Sequence, residues 1–465
     1  MRSPRSFSFG RRRLLESALV GGAGLAFGAW PGVRLARAQR EAVDPRRVLF
    51  AYFEGGWDQL LALDPRDPAS TNPRDHRIDP GYGQLGVEGR SRGIRRVGEL
   101  SFGPAVAPAF LRHAHRFALV RGINMDTAAH EVGRRFFLTG RFPQGLSAVG
   151  SSIAAEASAH LGDGSTIPHL SMAVEAYARG LPSHARPLSV ASLNDLSVAL
   201  TPFSQVDPAI LAAVERFQER DPSCTARRLD GEGLATVVRE SQIRARAYLS
   251  GELSRIFDLT RGDPAMEALR ARYGLDGVSD PADPRALGFA AGRALVEGVS
   301  QVVSVRVARD LDTHAAWAAD HPGPLEQGFE VLSAVLDDLA DAPSGLGDGT
   351  SLLDHTTVVA FSEFGRTPLL NNLQGRDHFL GNSCLVAGPG LARGRVIGGS
   401  ADVGMMPVDV EPGTGRPRPG ADPGLRASGE VLPIGPDHVL ASVLTSLGAP
   451  AEGLRVPALP CLLRS

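Results

Sequence analysis

The chain begins its regular patterning at "RRVLFAYFEGGWD" (46–58), an unbroken apolar run closed by Gly55, Gly56 and Asp58. Such a run stopped by a glycine turn predicts a fully buried strand. "FALVRGI" (117–123) predicts a second strand, after a stretch at 105–117 that reads as helical. "VGRRFFLTG" predicts a short helix ending at Gly140, and "SAVGSSIAAEASAHLG" another. "QVVSVRVA" (301–308) alternates and is β-branched, so it predicts a strand. In "PLEQGFEVLSAVLDDLADA", Leu325, Phe329, Leu332, Leu336 and Leu339 fall on one face at helical spacing. "TTVVAF" (356–361) and "NSCLVAG" (382–388) predict further strands, and "PDHVLASVLTSLGAP" a last helix.

Strands alternating with helices over such spacings predict an α/β fold, a mostly parallel sheet with helices on both faces. A region at about 165–285 mixes strand-like "PHLSMAV" and "RPLSVAS" with helical "GLATVVRESQIRARAYLSGELSRIFDL", and reads as a cap or elaboration of one domain spanning 39–465. Residues 403–430, rich in Pro and Gly, read as a surface loop.

Composition changes this picture little. A formal net charge of -2 over 465 residues excludes an electrostatic footprint for nucleic acid or an anionic membrane. The basic residues are all arginine, a compositional bias rather than a binding signal. Cys224, Cys384 and Cys461 are too few and too scattered for a disulfide framework or zinc knuckle, although one pairing is open to them.

The amino terminus does change it. Arg11–Arg13 precede an apolar, Gly/Ala-rich stretch, and Ala36 and Ala38 supply the small residues of a cleavage site. Residues 1–38 therefore have the layout of a twin-arginine signal peptide, which predicts export to the periplasm or beyond. The stretch is short and mildly apolar, and no later segment is long and apolar enough to span a bilayer.

Candidate chemistry gathers where strands end. Open parallel sheets bind ligands beyond the carboxyl ends of their strands. Asp58 follows the first strand, Asp312 and His314 follow the strand at 301, and Glu363 follows the strand at 356. Asp377 and His378 sit just before the next. Singly, each has an ordinary structural role: Asp58 as a turn or cap residue, Asp312 as a cap, Glu363 paired to Arg366. Together they predict a divalent-metal site, Zn or Mn first, with Mg, Ca or Fe as alternatives. Arg366 is placed to fork onto an anionic oxygen. Trp57 and Trp317, beside these groups, are expected to pack.

"GGWD", "LTG", "DTH", "SEFGRTP" and "GRDHF" in this order, behind a twin-arginine leader, resemble the bacterial domain-of-unknown-function 1501 family. That family is similar to the alkaline phosphatase and sulfatase superfamily, which implies an alkaline phosphatase-like fold and a one- or two-metal site. The resemblance implies metal ligation by Asp58, Asp312, His314, Glu363, Asp377 and His378. Where the superfamily carries Asp-His, this chain has Glu363-Phe364, so the missing ligand has to come from elsewhere, with His378, Asp377 and His130 as candidates. Thr127 stands where the superfamily places its nucleophile, and His130 beside it is expected to steady the anion together with Arg366. The sulfatase C-x-P-x-R signal is absent. The implied function is a secreted hydrolase of small phosphate or sulfate esters. A noncatalytic exported metal- or ligand-binding protein on the same fold is the alternative.

Overall fold

A computed structural model describes residues 44–86, 93–200 and 253–464. The leader, Cys224 and most of the helix expected at 233–259 lie outside the described residues. No helix among those described is long and apolar enough to cross a membrane.

An eight-stranded sheet organises the chain. Its strands are β1 (Arg47–Phe53), β2 (Ala118–Asn124), β3 (His169–Met172), β4 (Leu188–Val190), β5 (Val302–Ala308), β6 (Thr356–Phe361), β7 (Gly381–Ala387) and β8 (Arg395–Gly398). The spatial order is β8-β2-β7-β6-β1-β5-β3-β4. β1 is central and pairs in parallel with both β5 and β6. β7 alone runs against its neighbours, antiparallel to β6 and β2. The sheet is thus mostly parallel, as the sequence pattern predicts. The middle region does more than elaborate: β3 and β4 extend the sheet itself, β3 in parallel on β5.

Period-two alternation of β1 explains why helices cover both faces. Leu49, Ala51 and Phe53 enter one core cluster, with Leu325, Phe329 and Leu336 of α4 (Pro322–Asp341) and Phe289 of α3 (Pro284–Val296). Val48, Phe50 and Tyr52 enter the other, with Phe137 of α1 (His130–Thr139), Ile153 of α2 (Ile153–Leu161) and Leu440 of α5 (Pro436–Leu447). Each of the larger apolar side chains contributes roughly 1.5–3 kcal/mol by burial, so the sheet is a firm platform. The helix expected over 105–117 is instead two short turns, Pro108–Leu111 and Ala114–Arg116. Cys384 and Cys461 are buried and unbonded.

Topology decides which residues can meet. The carboxyl ends of β1, β5 and β6 share one edge of the sheet. Because β7 is reversed, its amino end arrives at that same edge and carries His378 with it. The β6–β7 connection doubles back as a small ribbon in which Arg366 pairs with His378 and Gly365 with Phe379. "SEFGRTP" and "GRDHF" are therefore the two arms of one hairpin.

Candidate metal centre

Two glycines make the close packing at this edge. Gly55 has φ +111°, and a Cβ there would lie 2.7 Å from Asp312 N and 2.8 Å from Leu311 N. The turn after β1 can therefore lie directly against the loop after β5. On α1, a Cβ at Gly133 would lie 2.3 Å from Glu363 O. The first turn of α1 rests on the end of β6, which sets His130, the first residue of α1, over Glu363.

The Nδ1 of His130 lies 2.8 Å from Glu363 Oε1. The Nδ1 of His378 lies 2.6 Å from the Ala128 carbonyl oxygen. The Nδ1 of His314 lies 2.8 Å from Asp377 Oδ1. A carbonyl or ionised carboxylate only accepts, so each Nδ1 carries the hydrogen and donates it. In the neutral imidazole each Nε2 is then left with a lone pair, and all three lie beside Asp312. His130 Nε2 lies 3.3 Å from Asp312 Oδ2, and His378 Nε2 lies 3.2 Å from Oδ1. His314 Nε2 lies 3.0 Å from the same Oδ1 and 3.0 Å from His378 Nε2. His130 Nε2 is buried without a hydrogen-bond partner.

Lone pairs facing one another and a carboxylate repel unless a proton or cation lies between them. His130, Asp312 and His378 form a group whose ligand-type atoms lie within 4.8 Å of one another, a group that could hold a metal ion. Ligands bound at about 2.0–2.1 Å to a tetrahedral zinc sit about 3.3 Å apart, and each of the two imidazoles stands 3.2–3.3 Å from one oxygen of Asp312. Histidine ligands backed by carboxylate or carbonyl acceptors are the usual outer layer of such sites.

Charges around the cluster are set by burial and by near neighbours. Partial burial works to raise the Asp312 carboxyl, but Arg366 and His378 hold it well below the usual carboxylate range. Glu363, fully buried, would be raised by burial, yet the bonds from His130 and from Gly55 N keep it low. Burial disfavours charge on His130, but Glu363 and then Asp312 raise it. Burial lowers His378. Phe364, which cannot ligate, is the platform for these rings: its centroid lies 4.8 Å from His130 and 4.4 Å from His378. Two imidazoles, those of His130 and His378, thus pack on the phenylalanine that follows Glu363.

Other expected ligands are placed differently. Glu363 stands behind His130, not among the three: Oε1 takes His130 and Gly55 N, and Oε2 takes the Ser362 hydroxyl at 3.0 Å. His314 and Asp377 lie at the rim, with side chains 44% and 53% exposed. Arg366 is not free for an anion. Its Nε donates to Gly56 O and its Nη1 to Arg376 O, both at 3.0 Å; Nη2 donates to Gly55 O and to Asp312 Oδ1, the latter at 2.5 Å. It fastens the β1 turn to Asp312. Thr127 accepts from Ala129 N at 3.1 Å, just ahead of α1.

Asp58 is drawn elsewhere altogether. Its Oδ1 accepts from Leu60 N and Leu61 N, its Oδ2 from Trp317 Nε1 at 2.6 Å. Arg376 Nε lies 2.9 Å from the same oxygen, both side chains essentially inaccessible. The Arg376 guanidinium stacks 4.4 Å over the Trp317 ring and donates to Thr367 O and Asp79 O. His321, fully buried and lowered to about 4 by burial, accepts from Asp58 N. Sequence reasoning missed Arg376, His321 and the Ala128 carbonyl. "GRDHF" held the signal for Arg376, two residues before His378.

A family model described as a protein of unknown function (DUF1501) matches residues 45–412. No curated protein matches the chain. Among solved structures it is similar to one titled for the metabolism of multiple glycosaminoglycans by Bacteroides thetaiotaomicron, at 9% identity and TM-score 0.33, over 88% of this chain and 74% of that one. It is similar also to a 2-O GAG sulfatase, at 11% identity and TM-score 0.30, over 89% of this chain and 72% of that one. TM-scores at this level leave fold and chemistry to rest on the geometry itself.

Proposed function

The chain belongs to the DUF1501 family, and from that premise and its site geometry we propose that it is an exported, metal-dependent hydrolase of phosphate or sulfate esters. One observation carries the metal: three histidines donate through Nδ1 to oxygen acceptors and turn Nε2 toward one ionised aspartate. His130, Asp312 and His378 would hold it. Nitrogen and oxygen ligands at these spacings favour zinc, with manganese next. A bound divalent ion would polarise an ester oxygen and activate water as a nucleophile.

The protein's own groups do the rest. Glu363 and the Ala128 carbonyl fix two rings, Arg366 keeps Asp312 ionised and in place, and Phe364 excludes water from behind. The half-exposed rim at Asp312 and His314 is where substrate enters. Asp58 is locked to Arg376 and Phe364 offers no ligand, so the centre holds one metal rather than two. Export is proposed from the leader-like residues 1–38. Thr127, its hydroxyl engaged by Ala129 N, favours a second reading, a noncatalytic exported metal-binding protein.

Purified mature chain, dialysed and reloaded, should retain about one zinc or manganese per chain and hydrolyse members of a panel of aryl and alkyl phosphates and sulfates. No bound metal overturns the metal reading. Metal without turnover across the panel establishes the second reading instead.

A further inference from the structure

We propose that His314 is an exchangeable fourth ligand of this centre, held at its rim by Asp377, and not one of its resident ligands. The inference rests on the metal-binding reading above. Three observations separate His314 from His130 and His378.

The first is packing. His130 and His378 both lie on Phe364, whereas His314 sets its ring against His378, at 4.7 Å. The second is the anchor of each Nδ1. His130 is tied to a fully buried carboxylate and His378 to a backbone carbonyl, which cannot swing away. His314 is tied to Asp377, an exposed side chain on the hairpin loop that also accepts from Asn371 Nδ2 at 3.0 Å. The third is position. His314 Nε2 is within 3.0 Å of both Asp312 and His378, yet His314 stands outside the group that could share one ion.

The His314 backbone is pinned on both sides. Its carbonyl accepts from Asn371 Nδ2 at 2.9 Å, and Ala315 bridges to Gln374. Side-chain rotation alone therefore brings the imidazole toward the ion or withdraws it. Structural metal sites are closed by four protein ligands, and catalytic ones keep a position open. This centre carries both arrangements. With His314 in, it is closed and stores the metal; with His314 out, the fourth position is free for a substrate oxygen. The Asp377–His314 bond sets the balance.

Metal-free chain reloaded with Co²⁺ gives a readout independent of turnover. Wild type, His314→Ala, His314→Gln, His130→Ala and His378→Ala would be compared by Co²⁺ competition binding and by the visible absorption of the bound ion, with free imidazole as the added ligand. Circular dichroism of the metal-free proteins controls for folding, and His314, being exposed at the rim, tolerates replacement. The His314 variants should lose no more than about tenfold in Co²⁺ affinity, and His130→Ala and His378→Ala about a hundredfold or more. Imidazole should bind the His314 variants at least about tenfold more tightly than wild type, which has to displace its own imidazole first. Loss in His314→Ala and His314→Gln equal to that in His378→Ala would make His314 a resident ligand and overturn the proposal. Equal imidazole affinity in wild type and the His314 variants would overturn it too, since His314 would then not occupy the fourth position. Wild type that binds no Co²⁺ would sink the metal reading itself, a separate failure.

Discussion

Two clusters of charged motif residues sit side by side at the same edge of the sheet and have opposite character. Around Asp58, an acid, a guanidinium and an indole are sealed from water, and both carboxylate oxygens are taken up by neighbours. Around Asp312, three imidazoles turn lone pairs on a half-exposed carboxylate, and one buried nitrogen has no hydrogen-bond partner. Both clusters draw on the loop after β1, the segment after β5 and the β6–β7 hairpin. The first spends its polar groups on holding those loops together; the second leaves polar groups unspent. An acid after a strand thus signals structure or chemistry according to what its neighbours leave unsatisfied.

The strongest way to break this comparison is to cut the sealed cluster. Asp58→Asn leaves Arg376 buried beside a neutral amide, and losing one partner of a buried ion pair costs about 3–5 kcal/mol. Urea unfolding of the metal-free variant should show that loss. Unchanged stability together with lost metal would make Asp58 a ligand after all.

A smaller effect is expected where the two clusters differ most. Glu363→Gln keeps the shape behind His130 but removes the charge that fixes its tautomer. Metal affinity should fall by about 10–100-fold, measured by chelator competition, with the fold intact by circular dichroism. A variant emptied of metal altogether would place Glu363 in direct contact with the ion.

The smallest concerns an acid at the opposite end of β6. Asp354 caps the turn leading into the strand, accepts from Ser351 N at 2.9 Å, and pairs with Arg116 at 2.7 Å. Burial works to raise it, but Arg116 and Ser351 hold it well below the usual carboxylate range. A depressed carboxyl stabilises the fold above its unfolded value, about 4, and loses that contribution as pH falls further. Asp354→Asn should therefore cost about 1 kcal/mol or less near neutral pH, and the gap from wild type should close below pH ~4. A gap that widened in acid would contradict the assignment.

Most of the fold was legible because it is written in local periodicity. The apolar runs of β1, β5, β6 and β7 and the leucine face of α4 declare themselves without reference to distant residues. The reversal of β7 was not legible, since the run reads alike in either direction. The site was legible as an edge but not as an assignment. Glu363 and Asp58 both follow strands, yet one is turned behind an imidazole 233 residues away and the other is claimed by Arg376. Arg366 looked free because the carbonyls it serves, those of Gly55 and Gly56, lie more than 300 positions upstream. His130 entered only through family resemblance. Its local signal, a histidine opening a helix one turn before a glycine that must touch Glu363, has meaning only once α1 is seated on β6.

The central place of β1 has a consequence for how the chain is made. Both of its sheet neighbours, β5 and β6, come far later, and the bond from Gly55 N to Glu363 spans 308 residues. At a synthesis rate of ~5–20 residues per second, β1 waits on the order of 15 to 60 s for β6. Until β5 is made, which is most of that interval, a seven-residue strand destined for full burial has neither partner, and both its edges are open to other chains. The newborn protein should therefore need a chaperone at its amino-terminal third, and co-translational aggregation should track exposure of β1.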